Sequence, residues 1–258
     1  MESDYKPIIK STPQEFRAID VYVIGDLHYG SAQFDERKWN VVKDEILSAQ
    51  NRYVVFVGDL MENAVPGSRS SVFEQICNPQ DQKEFVVQQF VDLKDRILSI
   101  IDGNHEKNRS YKYAGLFPLF DAAVIAGIPE LYRPHFAFVD VGVGARKKDP
   151  SQQTHYVIYT SHKAKDNKNY CSSDFVENVD LFCYGHDHSG KSEPRGKLIY
   201  DTKLKMVRQA TVATIDGGSF LRYGGYAADN AYRPNADTLY KATLLGEEKR
   251  ICITGFSA

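Results

Sequence analysis

Seven side chains able to bind a metal ion stand just past short apolar runs, grouped in five clusters. Val21-Tyr22-Val23-Ile24 leads into Gly25-Asp26-Leu27-His28, and Tyr53-Val54-Val55-Phe56-Val57 into Gly58-Asp59. Ile97-Leu98-Ser99-Ile100-Ile101 leads into Gly103-Asn104-His105-Glu106. Tyr156-Val157-Ile158-Tyr159 precedes Thr160-Ser161-His162, and Leu181-Phe182-Cys183-Tyr184 precedes Gly185-His186-Asp187-His188. Each run reads as a buried strand, and each stops at a carboxylate, amide or imidazole, the donors that divalent ions take. Asp26, Asp59 and Asn104 offer oxygen, whereas His28, His162, His186 and His188 offer nitrogen. That donor set is too large for one tetrahedral zinc and suits two five- or six-coordinate divalent ions sharing a carboxylate. In an extended segment residues i and i+2 point to one side, which makes Asp26/His28 and His186/His188 two-toothed contributors. Ions so placed can hold and deprotonate a bridging water and clamp a phosphate for in-line attack.

Positioning such groups requires an open sheet whose strands end together, the place where α/β folds put their sites. Residues 1–19 are polar and contain Pro7 and Pro13, which predicts a lead-in arm. Phe34, Trp39, Val42, Ile46 and Leu47 recur at helical spacing, so Asp35 to Gln50 is predicted helical and the first two strands form a parallel βαβ unit. Asp81 to Arg96 is a second predicted helix, Tyr113 to Gly127 a third that breaks or starts near Pro118, and Ser172 to Asn178 a short one. His135 to Val141 reads as a strand of a second sheet. Beyond His188, Lys197–Tyr200, Lys205–Thr214, Thr238–Leu245 and Lys249–Thr254 read as strands of an antiparallel portion closing that second sheet. Two long irregular stretches, 61–82 and 216–234, are candidates for loops at the edge of the site. The plainer expectation for the first is a surface excursion packed by Val72, Phe73 and Ile76.

The 258 residues suit one large α/β domain, with 1–19 as the arm and 189–258 as the β-rich closing portion. A net charge of −2, from 32 basic and 34 acidic residues, exerts no global pull on nucleic acid or an anionic membrane. No apolar run approaches a membrane span, and the first ten residues lack a signal-peptide core. Four scattered cysteines without CxxC spacing read as free thiols of a reducing compartment, so a cytoplasmic location is expected.

In their order, Asp26-Leu27-His28, Gly58-Asp59, Gly103-Asn104-His105-Glu106, His162 and Gly185-His186-Asp187-His188 resemble the motifs of the calcineurin-like metallophosphoesterase superfamily. The resemblance covers residues 25 to 188 and implies a four-layer αββα sandwich of two mixed β-sheets with flanking helices. It assigns Asp26, His28 and His188 to one metal, Asn104, His162 and His186 to a second, and Asp59 to both. His105 becomes the general acid, a role worth roughly 10²–10⁴ in rate. The cofactors implied are two divalent ions, Mn²⁺ first, with Fe, Zn or Ni as alternatives. Glu62 stands where many relatives have Asp and reads as support for a neighbouring ligand; Glu106 reads as a brace for its turn. Arg109, four residues past His105, reads either as a contact to substrate phosphate or as an exposed arginine at a helix start; Asn63, Arg69 and Tyr223 rank below it, and His135 and His155 read as structural.

For the substrate, the first expectation is a phosphodiester, in nucleic acid or a nucleotide. Asp-Leu-His resembles the repair-exonuclease branch, and 16 Tyr with 14 Phe supply possible stacking surfaces. A phosphomonoesterase or protein phosphatase comes second, because Gly58-Asp59-Leu60-Met61-Glu62-Asn63-Ala64 lacks the arginine typical of the Ser/Thr phosphatases. A catalytically silent binding scaffold comes last, because such members usually lack the histidine present here as His105.

Overall fold

The computed structural model describes residues 5–68, 70–163, 172–202, 205–234 and 237–258. Its twelve strands are β1 (Ile8–Ser11), β2 (Ala18–Ile24), β3 (Arg52–Phe56), β4 (Ile97–Ile101), β5 (Tyr132–Arg133), β6 (Phe136–Val143), β7 (Thr154–Ser161), β8 (Leu181–Tyr184), β9 (Lys191–Asp201), β10 (Met206–Asp216), β11 (Leu239–Leu245) and β12 (Ile251–Phe256). Among the described residues they form two six-stranded sheets, in the orders β1-β6-β7-β8-β10-β9 and β12-β11-β2-β3-β4-β5. Both sheets are mixed. In the second, β2 to β5 run parallel, with β11 antiparallel to β2 on one side and to β12 on the other; in the first, β7, β8 and β10 run parallel.

The helices are α1 (Glu36–Leu47), α2 (Pro79–Leu93), α3 (Lys112–Ala114), α4 (Pro118–Ile125) and α5 (Tyr226–Asp229). α1 starts where Asp35 accepts from the Lys38 backbone N–H, and α2 where Asn78 caps it and Pro79 occupies the first turn. α1 lies against β3, and α4 against α2 and β5, so the helices cover the second sheet. Between the sheets and under these helices lies one apolar core, in which Trp39, Phe56, Phe90 and Ile24 are fully buried. Burying side chains of that size contributes about 1.5–3 kcal/mol each. Trp39, the only tryptophan, donates from its ring to Gln89 Oε1 at 3.1 Å and meets the Phe220 ring edge-on at 5.7 Å. On the other face of the first sheet a smaller cluster of Tyr159, Val179, Phe182, Tyr184 and Val212 lies near the 3₁₀ turn Ser172–Asp174. The result is the αββα sandwich.

Three expectations change, and one is sharpened. The predicted arm contains β1, which pairs parallel with β6 and so belongs to a sheet edge. The third predicted helix does start anew at Pro118, which opens α4, and stops at Gly127, at φ 77; the break before it is made by Gly115, at φ 67. The short helix after Cys171 is only the 3₁₀ turn, and Cys171 itself lies outside the described residues. The C-terminal portion does not close one sheet: β9 and β10 extend the first, β11 and β12 the second. Among the described residues no helix is long and apolar enough to cross a membrane.

Candidate metal centre

All five clusters leave the carboxyl ends of neighbouring strands. Asp26 and His28 follow β2, Asp59 follows β3, and Asn104 and His105 follow β4, which are adjacent and parallel. His162 and His186/His188 follow β7 and β8 of the facing sheet, also adjacent and parallel. The fold therefore brings the seven expected ligands and His105 to one place. Asp26, His28 and His188 each offer an atom within 4.8 Å of the others, and so do Asp59, His162 and His186. Asn104 Oδ1 joins the second group, 3.0 Å from His162 Nε2.

The backbone reaches this arrangement in an unexpected way. Asp26, His28, Asp59, His186 and His188 have φ of 50, 49, 52, 75 and 55°, all left-handed. The expected extended segments are absent, and alternation of side chains along a strand does not explain how Asp26 and His28 come to the same place. Such a conformation costs a non-glycine residue about 1–2 kcal/mol, and strain of this kind concentrates at functional sites. Two glycines allow the close approach. A Cβ on Gly103 would lie 2.0 Å from Asp59 Oδ1, and one on Gly58, at φ +89°, would lie 2.3 Å from the Gly103 nitrogen.

Hydrogen bonds orient the rings. His162 Nδ1 donates to Val57 O at 2.7 Å, and His28 Nδ1 lies 3.2 Å from Glu62 Oε2. Each ring is thereby anchored through Nδ1, with Nε2 turned toward the centre, as when a hydrogen bond to one nitrogen aims the other at a metal. His28 Nε2 and His188 Nε2 face each other at 3.1 Å, and His188 Nε2 lies 3.2 Å from Asp26 Oδ1. That carboxylate oxygen is fully buried and has no hydrogen-bond partner among the described residues. Lone pairs crowded in this way call for a cation, so the donor set fits divalent ions.

The electrostatics agree. Burial would lower the His28 pKa, but the Asp26 and Glu62 carboxylates outweigh it and raise it to about 10. Burial opposes Asp59 likewise at His162, whose pKa rises to about 9. Burial would raise the carboxyls of Asp26 and Asp59, yet neighbouring imidazoles hold both below the usual range, His188 foremost for Asp26 and His105 for Asp59. Without ions, protons on His28 and His162 supply the positive charge.

His105 differs from the ligands. Burial lowers its pKa to about 4 against the pull of Asp59. His28, Asp59 and His105 also converge within 4.8 Å, but both nitrogens of His105 are engaged. Nδ1 contacts Glu62 O at 2.9 Å and Nε2 contacts Arg109 Nη2 at 3.0 Å. Arg109, buried on the π-helical turn Glu106–Tyr111, also donates from Nη1 to Glu62 O and, at 3.0 Å, to Glu62 Oε1. Glu62 thus supports His28 and holds Arg109. Glu106 accepts four backbone N–H groups, from Asp59, Leu60, Met61 and Gly103, at 2.8–3.2 Å. It ties the β3 and β4 motifs together.

A cleft of about 1320 Å³ opens over the centre. Its walls include Val65–Gln75 residues on one side and Ser219–Pro234 residues on the other, so both long loops border the site. Phe73 and Ile76 are 95% and 60% exposed, so they do not pack the first loop down as the plainer expectation required. Tyr223 lines the cleft, and Asn63 is buried and ties its loop to Ser110 on the π-helical turn. Arg69 lies outside the described residues. His135 is exposed before β6, and His155 pairs with Asp140 at 2.7 Å on the surface of β7, both away from the centre. The sequence offered Arg109 as a candidate for substrate contact, but its burial against the His105 ring depends on the π-helical turn, which no local pattern signals.

The crystal structure of Chaetomium thermophilum Vps29 aligns with 92% of this chain and 97% of its own, at 12% identity and a TM-score of 0.37. No curated protein matches the chain. Residues 19–190 match the family model described as calcineurin-like phosphoesterase. All five ligand clusters fall inside that span, and the chain belongs to the calcineurin-like phosphoesterase family.

Proposed function

We propose that the protein hydrolyses phosphodiesters of nucleic acid or nucleotides with two divalent ions, Mn²⁺ foremost. In this reading Asp26, His28 and His188 hold one ion, Asn104, His162 and His186 the other, and Asp59 both. The observation that carries it is the convergence of these seven side chains, with Nε2 of His28, His162 and His188 inward, at the base of one cleft. Ions bound there would activate a water and clamp the phosphoryl oxygens.

The chain's own groups do the rest. Asp59 stands between the two sets of donors, with Oδ2 3.3 Å from His162 Nε2 and 3.7 Å from His105 Nε2. That separation supports the reading in which His105 acts beside the reacting group as the acid for the leaving oxygen. A cleft of about 1320 Å³ exceeds the roughly 300–1,000 Å³ of a small-ligand pocket, which favours an extended diester over a small monoester. Tyr113, Tyr223 and Tyr232 line it and are each about half exposed, as base-stacking surfaces would be. The described cysteines Cys77, Cys183 and Cys252 are free thiols, in keeping with a cytoplasmic location.

The test is hydrolysis of bis-p-nitrophenyl phosphate beside p-nitrophenyl phosphate. Mn²⁺-dependent cleavage of the diester, lost on chelation, is expected. Asp59→Asn is expected to bring it to background, and His105→Ala to keep both ions while losing roughly 10²–10⁴ in turnover. Full activity in exhaustively chelated protein would sink the mechanism. Preference for the monoester would replace the diester reading with the phosphatase one.

A further inference from the structure

We propose that Arg109 grips the phosphoryl group of the substrate, passing its Nη2 from His105 to a phosphoryl oxygen and so uncovering the imidazole. The proposal rests on the hydrolase reading above. A guanidinium only donates hydrogen bonds. The 3.0 Å contact from Arg109 Nη2 therefore makes His105 Nε2 an acceptor, and the ring hydrogen lies on Nδ1, which donates to Glu62 O at 2.9 Å. The nitrogen of His105 that faces Asp59 is thus covered, with no hydrogen to give to a leaving group. While Arg109 stays in place, that nitrogen can neither take up a proton nor pass one on.

One arm of the arginine is fixed and the other exchangeable. Nη1 is held by Glu62 twice, through the backbone oxygen and through Oε1. Nη2 holds Ser70 Oγ at 3.2 Å and His105 Nε2, and neither acceptor is charged in this arrangement. A phosphoryl oxygen carries charge, and charge-assisted hydrogen bonds are roughly twice as strong as neutral ones. An arriving phosphoryl group would therefore win Nη2 while Nη1 stays on Glu62. Arg109 and His105 both line the cleft, and Arg109 is only 8% exposed, so the new bond would be shielded from water. A purely structural brace between the turn after β4 and the loop after β3 explains the contacts to Glu62 and Ser70. It does not explain the contact to His105.

The experiment compares wild type, Arg109→Gln, Arg109→Lys and Ser70→Ala, all loaded with Mn²⁺. It measures bound metal, kcat and KM on bis-p-nitrophenyl phosphate, and competitive inhibition by inorganic phosphate. Arg109→Gln is expected to retain both ions while its phosphate inhibition constant rises about 10- to 100-fold, the loss of one charged hydrogen bond. Arg109→Lys, which keeps the charge without the fork, is expected to fall between that and wild type. Ser70→Ala removes only a bracing contact, and its inhibition constant is expected within about twofold of wild type. An active wild type whose phosphate inhibition is unchanged by Arg109→Gln would overturn the role of Arg109 and leave the hydrolase reading standing. So would equal effects of Ser70→Ala and Arg109→Gln. If Arg109→Gln loses its ions, Arg109→Lys decides, and wild-type inhibition in that variant overturns the proposal. A wild type that cleaves no phosphoester with Mn²⁺ would fail the hydrolase reading itself.

Discussion

Asp26, Asp59 and Asn104 reach the centre from one sheet, His162, His186 and His188 from the other, and the backbone around the two groups is held very differently. On the first side, Asp26 N–H donates to Gly58 O, His28 N–H to Asp59 O, and His105 N–H to the Asp59 carboxylate, at 2.8–3.0 Å. Glu106 binds four further N–H groups beneath them. On the second side Gly185 N–H donates to His162 O at 3.1 Å, and among the described residues two further bonds tie it to the first: His162 Nδ1 to Val57 O, and His186 N–H to Asp26 Oδ2. The Asp26 side chain is fully buried, whereas that of His188 is 27% exposed. One half of the centre is built into its sheet, and the other docks onto it. The first half sets the geometry that the second completes.

Breaking the built half should have the largest effect. Glu106→Gln substitutes an amide NH₂ for one oxygen and leaves it facing backbone N–H groups in a buried pocket. Leaving such donors unpaired costs about 1–3 kcal/mol each. At about 2–4 °C per kcal/mol for a chain near this size, the melting temperature of the ion-free protein should fall by about 5–10 °C. A calorimetric scan within about 1 °C of wild type would show that Glu106 does not carry the first half.

His188→Ala should instead leave the fold intact. The expected outcome is a metal affinity about 10- to 100-fold weaker, with activity recovered at higher Mn²⁺. Titration of Mn²⁺ into the variant checks this, and loss of the folded state would erase the distinction between the halves.

The smallest effect concerns one ring from each half. His28 and His162, with pKa values raised to about 10 and about 9, carry protons at neutral pH when no ion is bound. Ligation requires the neutral rings, so binding must displace these protons and weakens as pH falls. Calorimetry at pH 7.5 in buffers of different ionisation heat should report about two protons released on loading. Release of none would mean the rings are neutral beforehand.

The legible part of this molecule was the strand that ends in a ligand. Such a signal is local: an apolar run such as Leu181–Tyr184 and the polar residues just after it are contiguous, and β8 has those boundaries. What could not be read depends on distant partners. Ile8–Ser11 is too short to announce a strand, and its identity comes from β6, more than a hundred residues away. The assignment of β9/β10 and β11/β12 to different sheets rests on pairing with β8 and β2, which alternation alone does not encode. Left-handed φ at Asp26 and His188 is likewise imposed by packing, since their side chains would settle elsewhere in isolation. Glu62 was legible as a supporting carboxylate, but its hold on Arg109 appears only when the loop after β3 meets the turn after β4.

Trp39 gives the molecule an optical probe. It is the only indole in the chain, buried against Phe220, whose backbone N–H donates to Asp26 O at 3.1 Å. The emission of this one fluorophore therefore reports on a loop that is hydrogen-bonded to the metal-binding motif itself. Undocking of that loop would admit water to the indole and shift its colour to the red, without a label and without a substrate.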